Sequence, residues 1–251
     1  MSSWSQRRKL IYSSSVILIA AIVIGLPLFF YFYKSPTCSD GIQNGDETGI
    51  DCGGSCQRLC QNSFLVPVVA WTRLENVAPG LYNVAAYIQN LNTNAVALSV
   101  PYHVIVYDSA GVEITEYTGN VTLPPHRNTL AFNGAVNMGK RIPAKALFEF
   151  AQAPNWQTAA DPLAALTVGD KKYSEDSGGT SLLVTLNNTS VNKISTVDVY
   201  AVLYDRNGNA LGFSKTIVDS IPAYGSTVAP FTWPTSFGGK VISIEVLPVA
   251  E

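Results

Sequence analysis

From Leu10 to Tyr33 the chain runs 24 residues without a charge, LIYSSSVILIAAIVIGLPLFFYFY. As a helix this spans roughly 36 Å, enough to cross the hydrocarbon core of a bilayer with some tilt. Pro27 removes one backbone donor inside it, and the expected place for a kink is near Val23. Arg7, Arg8 and Lys9 precede the segment and only Lys34 follows at once. The basic cluster is retained in the cytoplasm, so residues 1–9 are expected inside, 10–33 in the membrane and the rest outside. Trp4 and Tyr12 at one end, and Phe29 to Tyr33 at the other, suit the two interfacial belts. A cleaved signal peptide is the competing reading. The apolar run is longer than the usual h-region, and no small-x-small cleavage site follows it. Cys38 follows Ser35-Pro36-Thr37, which is not a lipobox, and the surroundings of Arg7-Arg8 fit a twin-arginine signal poorly.

Composition narrows the rest. Of 251 residues only 14% are charged while 47% are hydrophobic, as expected when part of a chain never meets water. The net charge of −2, from 16 basic and 18 acidic residues, excludes the concentrated positive surface that nucleic-acid binding requires.

All four cysteines lie between Cys38 and Cys60. Placed outside the membrane, Cys38, Cys52, Cys56 and Cys60 are expected to form two disulfides, with three connectivities open. The alternative is zinc, but no pair has the two-residue gap of structural zinc knuckles and no His is near. Asp40, Asn44, Asp46, Glu47 and Asp51 stand among five glycines in the same stretch. Oxygen side chains on a tight Gly-rich loop suit calcium, so these five are candidate ligands. An EF-hand register started at Asn44 puts Ser55 at the twelfth place, where Glu is required. The other reading is a turn-rich loop whose Asp and Asn side chains bond their own backbone. The run Cys-x-Asp-Gly-x-x-Asn-x-x-Glu-x-x-x-Asp-Cys-Gly-Gly-x-Cys-x-x-x-Cys resembles a short module of bacterial and some eukaryotic surface proteins. The resemblance covers about a tenth of the chain and implies an extracellular spacer without enzymatic activity.

Beyond Cys60 the chain repeats itself. Val104–Gly111 (VIVYDSAG) matches Ala201–Gly208 (AVLYDRNG) at an offset of 97. Asn90 aligns with Asn187 at the same offset, Leu123-Pro124 with Ile221-Pro222 at 98, and Phe132 with Phe231 at 99. Val197, Val199, Ala201 and Leu203 alternate with Asp198, Tyr200, Val202 and Tyr204, the pattern of a half-buried strand. Asn207-Gly208 is expected to close a two-residue hairpin. Leu182–Leu186 and Val241–Val246 read as further strands of the second copy; Tyr82–Gln89, Val100–Tyr107, Thr129–Phe132 and Ala146–Phe150 read as strands of the first. No amphipathic helix is evident beyond residue 60. The expected fold is therefore an all-β ectodomain of two tandem immunoglobulin-like β-sandwiches, behind one transmembrane helix and a disulfide-rich loop. The segments are a Cys-rich spacer over 34–61, sandwiches over 62–152 and 163–251, and a linker over 153–162.

Leu203-Tyr204-Asp205 before the Gly208 turn, with Ile221-Pro222 and then Phe231, resembles the FxLYD-type domain of prokaryotic envelope proteins. Ala201 and Val104 stand where that family has Phe, and Val106 replaces its Leu, so the second copy is the better match. The resemblance implies an extracytoplasmic interaction module with no shared chemistry.

Catalytic raw material is scarce. Glu175–Gly179 (EDSGG) looks like the nucleophile segment of trypsin-like proteases, yet His103 and His126 are the only histidines and neither sits in a motif. A turn entering the strand 180–186 is the plainer reading. Asp108 and Asp205 fall at equivalent hairpin positions and are read as turn formers. No phosphate loop, HExxH or GxSxG is present. The expected role is non-enzymatic: a membrane-anchored structural or interaction protein of a prokaryotic envelope, held in the bilayer by 10–33 and partnered by other envelope proteins. The alternative is a surface receptor module for a glycan, peptide or ion.

Overall fold

The computed structural model describes residues 4–33 and 35–250. Two units are distinguished, residues 1–56 and 57–251.

The first unit opens with helix α1, Trp4–Phe32, which begins six residues before the uncharged run and continues through Pro27. Every side chain described within it is exposed, so it offers lipid-compatible surface and no protein core. Its three serines return their hydroxyls to helix carbonyls: Ser13 to Leu10, Ser14 and Ser15 to Ile11. A hydroxyl satisfied in this way can enter hydrocarbon without an orphaned donor. After α1 the chain forms turns over 38–55, with a single bridge between Gly49 and Cys52.

The second unit is built from strands. In chain order they are β1 Val68–Ala78, β2 Leu81–Gln89, β3 Ala95–Tyr107, β4 Glu113–Leu123, β5 Asn128–Asn137, β6 Lys145–Phe150, β7 Trp156–Thr158, β8 Leu166–Asp176, β9 Gly179–Asn188, β10 Ile194–Tyr204, β11 Ala210–Ile221, β12 Ser226–Trp233 and β13 Ser243–Ala250. Sheets β1-β2-β5 and β4-β3-β6 face each other around one core; β8-β9-β12 and β11-β10-β13 enclose a second. All the named pairings are antiparallel, and the order is the same in both sandwiches when β8 stands for β1 and so on. Val84, Ala86 and Ile88 alternate into the first core, and Leu182, Val184 and Leu186 into the second.

Two side-chain locks recur. Asn90 Nδ2 donates to the carbonyls of Ala95, Leu123 and Pro124, and Asn188 Nδ2 to those of Asn192, Ile221 and Pro222. The structural counterpart of Asn90 is thus Asn188, one residue beyond the partner read from sequence. In the hairpins, Asp108 Oδ1 accepts from Ala110 and Val112 N–H, and Asp205 Oδ1 from Asn207 and Asn209 N–H. Gly208, at φ 76°, donates back to the Asp205 carbonyl, and Asn207 keeps negative φ. The β10–β11 connection is therefore a turn with a left-handed Gly rather than the expected two-residue hairpin.

The stretch expected to be a linker is not one throughout. Trp156–Thr158 forms β7 against β3, and Trp156, 1% exposed, sits in the first core beside Phe64. A short strand carrying one large aromatic was masked by its flanking Ala and Pro residues.

The outer faces of β1-β2-β5 and β11-β10-β13 pack on one another. Ala85, Tyr87 and Leu130 from the first sandwich meet Tyr200, Val202, Phe213, Leu247 and Val249 from the second in a third apolar cluster. This explains why β10 is buried on both faces from Val197 to Leu203, where alternation had suggested one solvated face.

Candidate functional site

Cys38 and Cys56 form a disulfide with Cα atoms 5.6 Å apart. Cys52 and Cys60 are disulfide-bonded too, and no cysteine is free. The candidate calcium ligands lie on the same turns, but their carboxylates are directed at donors of the same loop. Asp40 accepts from Thr37 and Ile42 N–H and from Asn44 Nδ2; Asp51 accepts Gly41 N–H with both oxygens; Asp46 accepts the Ser55 hydroxyl; Glu47 accepts Asn44 N–H. Bonds to Asn44 and to Ser55, respectively, hold the Asp40 and Asp46 carboxyls below the ordinary range. Among the described residues, the one group of three potential ligands close together is Cys38, Glu47 and Cys56, and both its sulfurs are spent in the disulfide. The five oxygen residues thus serve turns here and do not converge as a calcium shell, although Asn44 Oδ1 is left without a partner.

Polar chemistry is concentrated instead in the seam between the sandwiches. Phe213 lies 6.0 Å from Trp71 and 6.3 Å from Phe132, centroid to centroid, and Trp71 lies 5.3 Å from Tyr87. Beside these rings Glu75, 8% exposed, accepts from Phe213 N–H at 3.1 Å and Asn83 Nδ2 at 3.2 Å, while Asn83 Nδ2 also reaches the Phe213 carbonyl. Burial pushes the Glu75 carboxyl up to about 7 against these two donors. Across the seam Glu245 is gripped at both oxygens, by Tyr87 Oη at 2.8 Å and Tyr204 Oη at 2.9 Å, and Asn128 Nδ2 donates to Tyr87. Burial, followed by the Glu245 carboxylate, drives both tyrosine hydroxyls well above their usual range. Asp198 Oδ2 meets Lys215 Nζ at 2.5 Å.

The remaining sequence candidates fall elsewhere. His103 lies on the outer face of β3, its Nδ1 2.6 Å from Glu116 Oε1, and His126 is exposed in a turn at φ 51°. Asp108 also takes Arg141 Nη2 at 2.8 Å, and backbone donors first of all hold its carboxyl low. Asp205 is held low chiefly by Asn209. The EDSGG segment is the β8–β9 hairpin, with Asp176 paired to Gly179 and Gly178 N–H donating to Asp176. Its Glu175 takes the Ser236 hydroxyl, Gly238 and Gly239 N–H and Tyr173 Oη, which brings the carboxyl down to about 2. That carboxylate fastens the 235–239 loop. Sequence reading passed over Glu75, Asp198 and Glu245, and gave Glu175 no role beyond the EDSGG turn. Glu245 is bonded by Tyr204 and Tyr87, 41 and 158 residues away, and Glu75 by the Phe213 N–H, 138 away, whereas strand alternation alone marks such residues as outward-facing and solvated.

No family model matches the chain, and no curated protein matches it. Among solved structures it is similar to a putative β-galactosidase from Bacteroides fragilis (12% identity, TM-score 0.20, 69% of this chain and 33% of that one). A glycoside hydrolase family 2 β-glucuronidase aligns at 11% identity and TM-score 0.19, over 87% and 29% of the two chains. The tandem CBM22-1–CBM22-2 domains of Paenibacillus barcinonensis Xyn10C align at 10% identity and TM-score 0.13, over 74% and 86%. The chain spans about a third of the first two, and none of these likenesses is close enough to carry an argument.

Proposed function

We propose that the protein is a structural and interaction component of a prokaryotic cell envelope, anchored by α1 with its N-terminus in the cytoplasm and docking into a larger surface assembly. The observation that carries this reading is the seam. Two sandwiches that bury aromatic rings and a carboxylate between them act as one stiff body, suited to bearing and transmitting contacts. Saturation of Glu175, Asp108 and Asp205 by nearby donors fits a non-enzymatic role, since each carboxylate is engaged in holding a turn or loop. We read the sandwiches as a tandem duplication of an FxLYD-type domain. Shared strand order and the paired locks at Asn90/Asn188 and Asp108/Asp205 support that reading.

Crosslinking the intact protein in its native membrane, followed by mass spectrometry, tests the assignment. Capture of a stoichiometric set of envelope proteins is the expected result. Recovery of only the chain itself, or of nothing, would overturn it.

A further inference from the structure

Beside the seam, the two sandwiches enclose a groove of ≈ 380 Å³. One wall carries Ser99, Asn120 and Thr122, the other Asp198, Tyr200 and Lys215, and Phe132 adds apolar surface. Two features mark it as a built site. Asp198, 8% exposed, gives Oδ2 to Lys215 and leaves Oδ1 with no partner. A buried carboxylate oxygen without a donor is destabilising, and a bound donor relieves that cost. Opposite it, the β3–β4 register slips between Ala97 and Val100, and Ser99 is held at φ 48°. A bulge with a non-glycine residue in the left-handed region is a local strain of the kind that re-aims a wall toward a ligand.

We propose that this groove binds a neutral saccharide. The Lys215 ammonium cancels the Asp198 charge, so the free oxygen is an acceptor without net attraction for a cation and suits a neutral hydroxyl. A turn of the carboxylate about Cβ–Cγ, a soft torsion, presents that oxygen to the groove. Ser99, Asn120 and Thr122 offer groups that both donate and accept, matching the dual character of sugar hydroxyls. Phe132 receives the C–H face of the ring, and the volume lies in the range of small-molecule pockets.

The test is saturation-transfer NMR and calorimetry on the full-length protein in nanodiscs, with cellobiose, maltose and N,N′-diacetylchitobiose as probes and spermidine as a cationic control. Saturable binding of at least one disaccharide is expected. Asp198→Asn should weaken it at least tenfold, and Asn120→Trp, a change at an exposed position that fills the groove, should abolish it with the melting temperature unchanged. Absence of saturable binding by all three sugars, binding that survives Asn120→Trp, or preference for spermidine would each overturn the proposal. Should Asp198→Asn fail to fold, the Asn120→Trp result decides alone.

Discussion

Glu75→Gln should make the protein more stable above neutral pH. Glu75 is buried in the seam with its carboxyl raised to about 7, against 4.5 in an unstructured chain. Below about pH 4.5 the group is protonated in both states and contributes no pH-dependent difference. As pH rises from there toward 7 the unfolded chain ionises first, so the folded state loses stability throughout this window. At about 1.4 kcal/mol per pH unit between the two values, the full loss above pH 7 is about 3 kcal/mol. Glutamine keeps the shape, and its carbonyl oxygen can take the place of Oε2, which accepts from Phe213 N–H and Asn83. Only the ionisation penalty is removed. For a unit of this size 1 kcal/mol moves the melting temperature by about 2–4 °C, so roughly 6–12 °C is expected at pH 8 and almost nothing at pH 4. Differential scanning calorimetry of both full-length proteins at the two pH values measures it. A variant that melts at or below the parent at pH 8, with the same slope between pH 4 and 8, would refute the placement of a strained carboxylate in the seam.

Phe213→Ala, at a residue 1% exposed between Trp71 and Phe132, should cost about 3–5 kcal/mol and split the single urea transition in two as the sandwiches part; a loss below about 1 kcal/mol would mean that the seam does not couple them. Asn188→Ala should cost about 2–4 kcal/mol by stranding buried carbonyls, whereas Asn187→Ala beside it stays within about 1 kcal/mol; chemical denaturation that reverses this order would return the repeat to the sequence-read alignment. The Glu175 carboxyl sits at about 2, so docking of the 235–239 loop is complete above pH 4.5 and is lost as pH falls from there through about 2. Pepsin should therefore cut that loop far faster at pH 2 than at pH 4, and Glu175→Gln should be cut quickly at both; equal cutting of the parent at both values would contradict the loop's anchorage.

Legibility followed the range of the interaction. The N-terminal apolar helix, the central strands β2, β3, β9 and β10 and the presence of disulfides, though not their connectivity, all rest on local pattern and lie close to where the sequence puts them. Strands β1, β4, β8, β11 and β12 were not, because outward residues such as Arg73, Glu116, Lys172 and Lys215 break up their apolar rhythm. The seam was illegible for a different reason. Tyr200, Val202 and Tyr204 obey the same period-two rule whether their face meets water or another sheet, and only a partner about 100 residues away decides between the two. Calcium was suggested by residue type, yet the ligand set depends on where five short side chains point, and backbone N–H groups nearby satisfy three of them and the Ser55 hydroxyl a fourth.

The seam joins unlike faces, β1-β2-β5 of one sandwich to β11-β10-β13 of the other, so one face of each kind is left free at the far sides. A heterologous contact between related units can in principle repeat without closing. The free faces differ from the seam where such a repeat would need them to agree. By strand register, His103 stands where the seam has Tyr200, Glu116 where it has Phe213, and Glu149 where it has Leu247. On the other side Thr185 replaces Tyr87, and Pro230 replaces Phe132. His103 and Glu116 bond to one another at 2.6 Å, so two positions that are aromatic in the seam carry a solvated polar pair here. Continuing the stack would strip water from Glu116 and Glu149 with no buried donor such as Tyr87 waiting for them. The same architecture that stiffens two sandwiches into one body is thus confined to two by charge on its outer faces, and partners must be sought through edges and grooves rather than through repetition of the seam.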